Sequence, residues 1–257
     1  MNRQILTVTS NRALTATVFE MKLAGDMGGF TRPGQFVNIK LDGFYLRRPI
    51  SVCSIEGNVL TILYKVVGHG TEAMSRLAEG ARLDVLCGLG NGYDLSKSGP
   101  DPVLLGGGVG IPPLYLLARQ LIAKGVSPSV VLGFNRADEI FYEDAFKALG
   151  IPVTVTTADG SYGVKGFVTD ALPERYSYFY TCGPEPMLKA VYRATSTSGQ
   201  FSFEARMGCG FGACMGCSCK TVTGYKRICR EGPVLEKEEI LWESRTSPSA
   251  GSRWTIR

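Results

Sequence analysis

Residues 209–219 read CGFGACMGCSC, which gathers four of the chain's eight cysteines into one glycine-rich stretch. Cys209, Cys214 and Cys217 follow a C-x4-C-x2-C spacing, and eleven residues separate Cys217 from Cys229. Thiolates at this spacing, with a distant fourth, suit a plant-type [2Fe–2S] cluster. A loop of that kind wraps closely around its cluster and turns N–H groups toward the sulfur atoms. Those N–H groups offset the cluster's negative charge and tune its potential. Large side chains would block the approach, so Gly208, Gly210, Gly212 and Gly216 fit the role. Three other readings compete, of which a set of buried structural cysteines would not bunch in this way. A structural zinc site also takes four thiolates, although it commonly pairs C-x2-C knuckles. Disulfides are uncommon in a reducing compartment. Cys219 lies two residues past Cys217, where it could substitute as a ligand but falls outside the x4, x2 spacing.

Two further stretches could hold a nucleotide. GGGVGIPP, residues 106–113, follows an apolar run and opens a helical one. Glycines there admit a phosphate to the backbone, and a helix N-terminus supplies N–H groups and partial positive charge. The pattern from Gly108 to Pro113 is G-x-G-x-x-P, not G-x-G-x-x-G, and Gly108 and Gly110 are the candidate contacts. Pro112 and Pro113 suit a first helical turn. A plain tight turn is the alternative. YTCGPEPM, residues 180–187, has the same strand-to-helix setting, with Cys182 and Gly183 placed for a nicotinamide ring. Taken alone, Cys182 reads as a small buried thiol. RRPIS, residues 47–51, offers two arginines and a serine that could hold a diphosphate and a ring system, or merely form a solvated basic pair.

These stretches need rigid elements beneath them. Residues 1–98 read as strands (TATVFEMKL, QFVNIKL, RRPISVCSI, NVLTILYKVV, RLDVLCGL) punctuated by Gly, Pro and Asn, the pattern of a small antiparallel barrel. One short helix is expected over Glu72–Leu77, with Thr71 as its cap. After SKSGPDP the texture changes. Residues 99–200 alternate apolar strands with helical stretches, which predicts a parallel sheet with covered faces. Residues 201–257 carry the cysteine cluster and end in a polar tail, ESRTSPSAGSRWTIR, expected to be poorly ordered. The fold class is thus multi-domain, β plus α/β, with a small C-terminal cluster-binding segment.

The composition excludes several function classes. The 257 residues are 44% hydrophobic and 20% charged, as in an ordinary globular protein. A net charge of +5 is too mild to argue for nucleic acid. The N-terminus MNRQILTVTS lacks the apolar core of a signal peptide, and no apolar run approaches the roughly 18 residues of a membrane span. A cytoplasmic protein without membrane or nucleic-acid partners is expected.

The order of parts resembles the ferredoxin-NADP reductase superfamily over about 200 residues, through R-x-x-S, GGGxGxxP and CGPxPM. RRPIS, LYKVVGHGT, GGGVGIPP, GFNRADEIFYEDAF, CGPEPM and CGFGACMGCSCK together resemble the electron-transfer subunits of class 1B dihydroorotate dehydrogenases, from residue 1 to about 243. The resemblance implies FAD on the barrel, NAD(P) on the sheet and a [2Fe–2S] cluster. It assigns FAD to Arg48, Pro49, Ile50 and Ser51, to Leu63, Tyr64 and Lys65, and to Gly70 and Thr71. Arg48 would pair with the diphosphate and Ser51 would face the isoalloxazine edge. Thr71 and its helix N-terminus would take phosphate oxygens. The cluster ligands map to Cys209, Cys214, Cys217 and Cys229. His69, the one histidine, falls in the flavin loop and is read as a loop residue, not a base. NAD is favoured over NADP because GFNRADE, residues 133–139, sets two acids beside Arg136.

The resemblance also implies a partner. An FMN-containing catalytic subunit would oxidise dihydroorotate to orotate in pyrimidine (UMP) biosynthesis, in a heterotetramer with two of each chain. Electrons would pass from FMN through the cluster and FAD to NAD⁺, with no general acid–base residue required at the flavin–nicotinamide step. The alternatives are a subunit of an NADH-dependent ferredoxin:NADP oxidoreductase or a sulfhydrogenase, or a redox sensor without catalysis.

Overall fold

The structure is a computed structural model that describes residues 1–242; the polar tail, 243–257, lies outside the described residues. Six strands close an antiparallel barrel: β1 (Asn2–Ala13), β2 (Val18–Ala24), β3 (Phe36–Ile39), β4 (Arg48–Glu56), β5 (Val59–Lys65) and β6 (Arg82–Leu89). Their order around it is β1-β2-β5-β4-β3-β6. Alternation drives closure. In β6, Leu83, Val85, Cys87 and Leu89 point inward while the residues between them stay partly exposed. The sequence reading missed β1, whose outer face of Asn, Arg, Gln and Thr dilutes the pattern, although Leu6 and Val8 are fully inside.

A helix between β5 and β6, α1 (His69–Ser75), begins three residues earlier than expected. Gly68 takes the N-cap position and Thr71 the third position of the first turn. The Thr71 hydroxyl accepts from the Val67 and Gly68 N–H groups at 2.9 and 3.3 Å, so it caps from inside the helix.

The second layer is a seven-stranded sheet. Its parallel strands are β7 (Val103–Gly107), β8 (Ser129–Phe134), β9 (Val153–Thr157), β10 (Val164–Lys165), β11 (Phe179–Cys182) and β12 (Gly199–Ser202). Helices α2 (Ile111–Ala123), α3 (Glu143–Lys147) and α4 (Glu185–Ala194) connect and cover them. β7 is buried on both faces, as parallel strands between helices are. The cysteine segment adds a hairpin, β13 (Ser218–Thr221) with β14 (Gly224–Arg227), and then β15 (Val234–Glu236). β15 returns antiparallel to β12, so the sheet order is β10-β9-β8-β7-β11-β12-β15.

Shared cores lock the parts together. Val18, Cys53 and Leu63 of the barrel pack in one cluster with Leu104, Leu114 and Leu117 of the sheet layer. The Tyr142 hydroxyl donates to the buried Glu20 carboxylate at 2.7 Å across this join. Ile228, Cys229 and Cys217 pack with Phe201 and Leu235, and also with Phe36 and Leu89 of the barrel. Asn91 ties the barrel's end to this segment by donating to the Glu231 and Val234 carbonyls at 2.9 and 2.7 Å.

Candidate functional site

The four expected cluster cysteines stand as two pairs. Cys209 and Cys214 exchange contacts: the Cys209 Sγ accepts from the Cys214 N–H at 3.4 Å, and the Cys214 Sγ accepts from the Cys209 N–H at 3.5 Å. The Ala213 N–H also donates to Cys209 Sγ, at 3.2 Å. Cys217 and Cys229 pair through the Cys229 N–H, which donates to Cys217 Sγ at 3.4 Å. Burial alone would raise the Cys209 thiol, but donors from Phe211, Cys214 and Ala213 outweigh it and bring it down to about 6. At Cys209 this favours the thiolate a ligand needs, whereas burial pushes the Cys229 thiol up to about 12.

The loop glycines are necessary where the chain turns. Gly210 and Gly212 hold φ of +77° and +93°, which side chains rarely adopt. A Cβ on Gly210 would overlap the Asn38 amide, and one on Gly212 would press on Arg230. Arg227 braces the loop from below by donating to the Gly212 carbonyl at 2.7 Å, and it is itself held by Glu231. That bond pulls the Glu231 carboxyl down to about 2. Cys219 sits on β13 opposite Lys226, outside both pairs, and burial raises its thiol. Among the described residues, no three His, Cys, Asp or Glu side chains gather closely enough for a single metal ion. Paired thiols with N–H donors on sulfur fit a two-iron cluster better than one tetrahedral zinc.

The flavin residues surround an opening in the barrel wall. Arg48–Ser51 pair with β3 on one side only, Arg48 opposite Ile39 and Ser51 opposite Phe36. Pairing of β4 with β5 starts at Val52. Leu63, Tyr64 and Lys65 pair with β2 but not with β4. Two strand edges therefore face each other with main-chain groups available, which suits a flat ring with donors and acceptors on its rim. Arg48, Pro49, Ile50 and Ser51 are all half-buried along this edge. Leu63 and Tyr64 turn their side chains into packed cores, and the Tyr64 hydroxyl donates to Asn11 at 2.8 Å. Lys65 is half-buried, and these three residues offer the edge mainly their backbone.

Arg48 and Gly70 meet. The guanidinium lies over the Phe44 ring, 4.9 Å from its centroid, donates to the Leu46 carbonyl, and rests so close to Gly70 that a Cβ there would overlap it. The first bond inside α1 runs from Glu72 N–H to Gly68 O, so the N–H groups of residues 69–71 precede the helix ladder beside this guanidinium. The cradle suits a diphosphate. His69 is almost fully exposed. Arg47 turns the other way, into the wall, where it donates to the Asp84 carbonyl at 2.9 Å and pairs with the Asp84 carboxylate at 3.0 Å.

The nucleotide stretches meet where the sheet reverses direction. The chain leaves β7 for β8, β9 and β10 on one side and resumes at β11 on the other, and ligands of such sheets collect at that switch point. Gly106 is paired with Cys182 across it. A Cβ on Gly110 would lie 2.5 Å from both the Cys182 carbonyl carbon and the Gly183 nitrogen, so the two turns touch. Gly108 has φ of +49° and open space beside it. Burial pushes the Cys182 thiol up to about 12, with the Ser202 hydroxyl partly offsetting it. Arg136 is paired with Asp138, leaving Glu139 and Asp159 nearby at the end of β8 and β9. Phe44, Asn38 and Ser202 escaped the sequence reading, since nothing local marks a ring, an amide or a hydroxyl that acts across the fold.

The three places are contiguous. The Gly108–Gly110 turn touches β5 on one side of the barrel opening. On the other side, Asn38 of β3 donates to the Cys209 carbonyl at 3.3 Å.

Known proteins share this arrangement. The family model for the iron–sulfur cluster binding domain of dihydroorotate dehydrogenase B matches residues 204–241, and that for the oxidoreductase NAD-binding domain matches residues 104–193. The electron transfer subunit of dihydroorotate dehydrogenase B (NAD(+)) from Fusobacterium nucleatum is 44% identical over 91% of this chain and 96% of its own. The subunit of that name from Bacillus pumilus is 43% identical over 93% and 98%. A solved NADH-dependent reduced ferredoxin-NADP oxidoreductase, described for flavin-based electron bifurcation, superposes with a TM-score of 0.85 at 31% identity, covering 93% of this chain and 90% of that one.

Proposed function

Because the chain belongs to the family of dihydroorotate dehydrogenase B electron transfer subunits, we propose that it relays electrons between a dihydroorotate-oxidising partner and NAD⁺. One observation carries this reading: the barrel opening lies between the nucleotide turn and the cysteine loop, touching both. The chemistry a bound FAD would supply there is hydride exchange with nicotinamide and one-electron exchange with a [2Fe–2S] centre.

The protein's part is placement. Arg48 and the Gly70 turn hold the flavin diphosphate, and the edges of Arg48–Ser51 and Leu63–Lys65 hold the ring. Thr71 acts indirectly, because its hydroxyl is spent on fixing the 67–68 backbone. Gly108, Gly110, Cys182 and Gly183 seat the nicotinamide nucleotide at the switch point. Cys182, with its raised pKa, is a neutral thiol beside the ring. Cys209 with Cys214, and Cys217 with Cys229, are the thiol pairs that would hold the cluster. No residue needs to move a proton between flavin and nicotinamide.

Residues 1–98, 99–200 and 201–257 are the flavin, nucleotide and cluster units in this scheme. The partner is the FMN-bearing catalytic subunit, two copies of each chain assemble, and the complex works in the cytoplasm in pyrimidine synthesis. No helix among the described residues is long and apolar enough to cross a membrane. The ferredoxin-NADP oxidoreductase subunits share the same parts, but the higher identity to the dihydroorotate family favours the latter. Anaerobic purification followed by flavin, iron and sulfide analysis tests the cofactor set, with one FAD and two irons per chain expected. One zinc without acid-labile sulfide would end the cluster reading. Mixing with the FMN-bearing subunit tests the relay, and failure to reduce NAD⁺ from dihydroorotate would end it.

A further inference from the structure

Asn38 stands between the two redox sites without belonging to either. It is 1% exposed, on β3, paired with Pro49 of the flavin edge. Its Nδ2 donates to the carbonyl of Cys209, the first cluster cysteine, at 3.3 Å, and Gly210 leaves the room its amide fills. Rotating the amide would set its oxygen against the Cys209 carbonyl oxygen, so the orientation is fixed by repulsion. Its Oδ1 is buried and has no partner among the described residues. A half-satisfied buried amide is less stable than an apolar side chain of the same shape. Packing therefore does not explain an amide at this position, and a function at the join does.

We propose that Asn38 is a positioning residue that fastens the cluster loop to the flavin strand and so fixes how the two redox sites face each other. The inference rests on the FAD and [2Fe–2S] reading above. Its hydrogen bond joins the flavin-edge strand β3 to the cysteine loop, beside the apolar packing of Phe36 on Cys217 and Cys229, and it holds the peptide whose Cys209 thiol is a proposed ligand. Arg47 stiffens the same point from the barrel side by donating to the Asn38 carbonyl at 3.3 Å.

The test is Asn38→Leu in the fully loaded chain, compared with wild type in one series. Flavin, iron and sulfide content are measured first, then thermal stability, the cluster's midpoint potential, and stopped-flow reduction by NADH followed separately at flavin and cluster wavelengths. The expected result is full loading, equal or higher thermal stability and unchanged flavin reduction. Passage of electrons to the cluster slows by about three- to tenfold, the worth of one hydrogen bond. A comparable change in the redox equilibrium moves the cluster midpoint by about 30–60 mV. Raised stability with wild-type potential and transfer would make Asn38 an ordinary core residue and overturn the proposal. Should Asn38→Leu not take up the cluster, Asn38→Thr decides, since it suits the strand but ends one atom short of the Cys209 carbonyl; wild-type transfer in that variant overturns the proposal. A wild-type chain lacking FAD or iron would instead overturn the cofactor reading, and this inference with it.

Discussion

Gly70 offers a clean way to disturb the flavin cradle. Its backbone is helical, and its missing side chain is what lets the Arg48 guanidinium lie across the start of α1. In Gly70→Ala, the new methyl would sit 2.5 Å from Arg48 Cζ, about 1 Å or more inside ordinary contact. Arg48 ends a long, half-buried side chain, so it swings away from Gly70 instead of straining the fold. The fold gains slightly, because alanine is favoured over glycine in a helix by up to about 1 kcal/mol. Flavin binding loses a charge-assisted bond to phosphate, worth about 1.5–3 kcal/mol. That is roughly a ten- to hundredfold rise in the FAD Kd. Arg48→Ala should match it, whereas Arg47→Ala should destabilise the barrel by leaving the Asn38 and Asp84 carbonyls without their guanidinium donor, the Asp84 carboxylate keeping Arg3, with the folded fraction retaining its flavin affinity. Titrating deflavinated protein with FAD by fluorescence, alongside thermal unfolding, reads both quantities. Wild-type FAD affinity in Gly70→Ala and Arg48→Ala would refute the cradle.

Gly110→Ala cannot be relieved in that way, because its methyl would meet the Cys182–Gly183 peptide; kcat/KM for NADH should fall about 100-fold with flavin retained, measured with a dye acceptor. Cys217→Ser should lose the visible cluster spectrum and Cys219→Ser should keep it, because only Cys217 belongs to a thiol pair. Glu231 is held at about 2 in the fold against about 4.3 in an unfolded chain, so its support of the Arg227 brace is full above pH ~4.3 and is lost as pH falls toward 2. Thermal unfolding of the cluster-free chain should therefore drop more steeply over that window in wild type than in Glu231→Gln, and parallel curves would remove Glu231 from the brace.

Much of this was legible in the sequence because chemistry and local structure coincide there. The C-x4-C-x2-C run, the glycine turn before α2 and the CGPEPM turn before α4 each carry their proposed role within a few residues. β6 and β7 announced themselves through clean alternation and a continuous apolar run. Other features depend on distant partners. β1 hides its two inward residues among polar ones. Thr71 has the composition of a cap but lies inside the first turn, since Gly68 takes the cap with no side chain to betray it. Asn38 and Cys209 are far apart in sequence, and Arg47 and Arg48 look alike until one turns into the wall and the other out of it.

In the proposed relay this chain joins a nicotinamide site to an iron–sulfur site through a flavin, and dihydroorotate is oxidised on the partner subunit. Anaerobic stopped-flow mixing of the isolated, loaded chain with NADH, and separately with dihydroorotate, tests it directly. NADH should bleach the flavin rapidly and the cluster after it, while dihydroorotate should bleach neither until the FMN-bearing subunit is added. Rapid bleaching by dihydroorotate without that subunit, or a cluster untouched by NADH, would contradict the account.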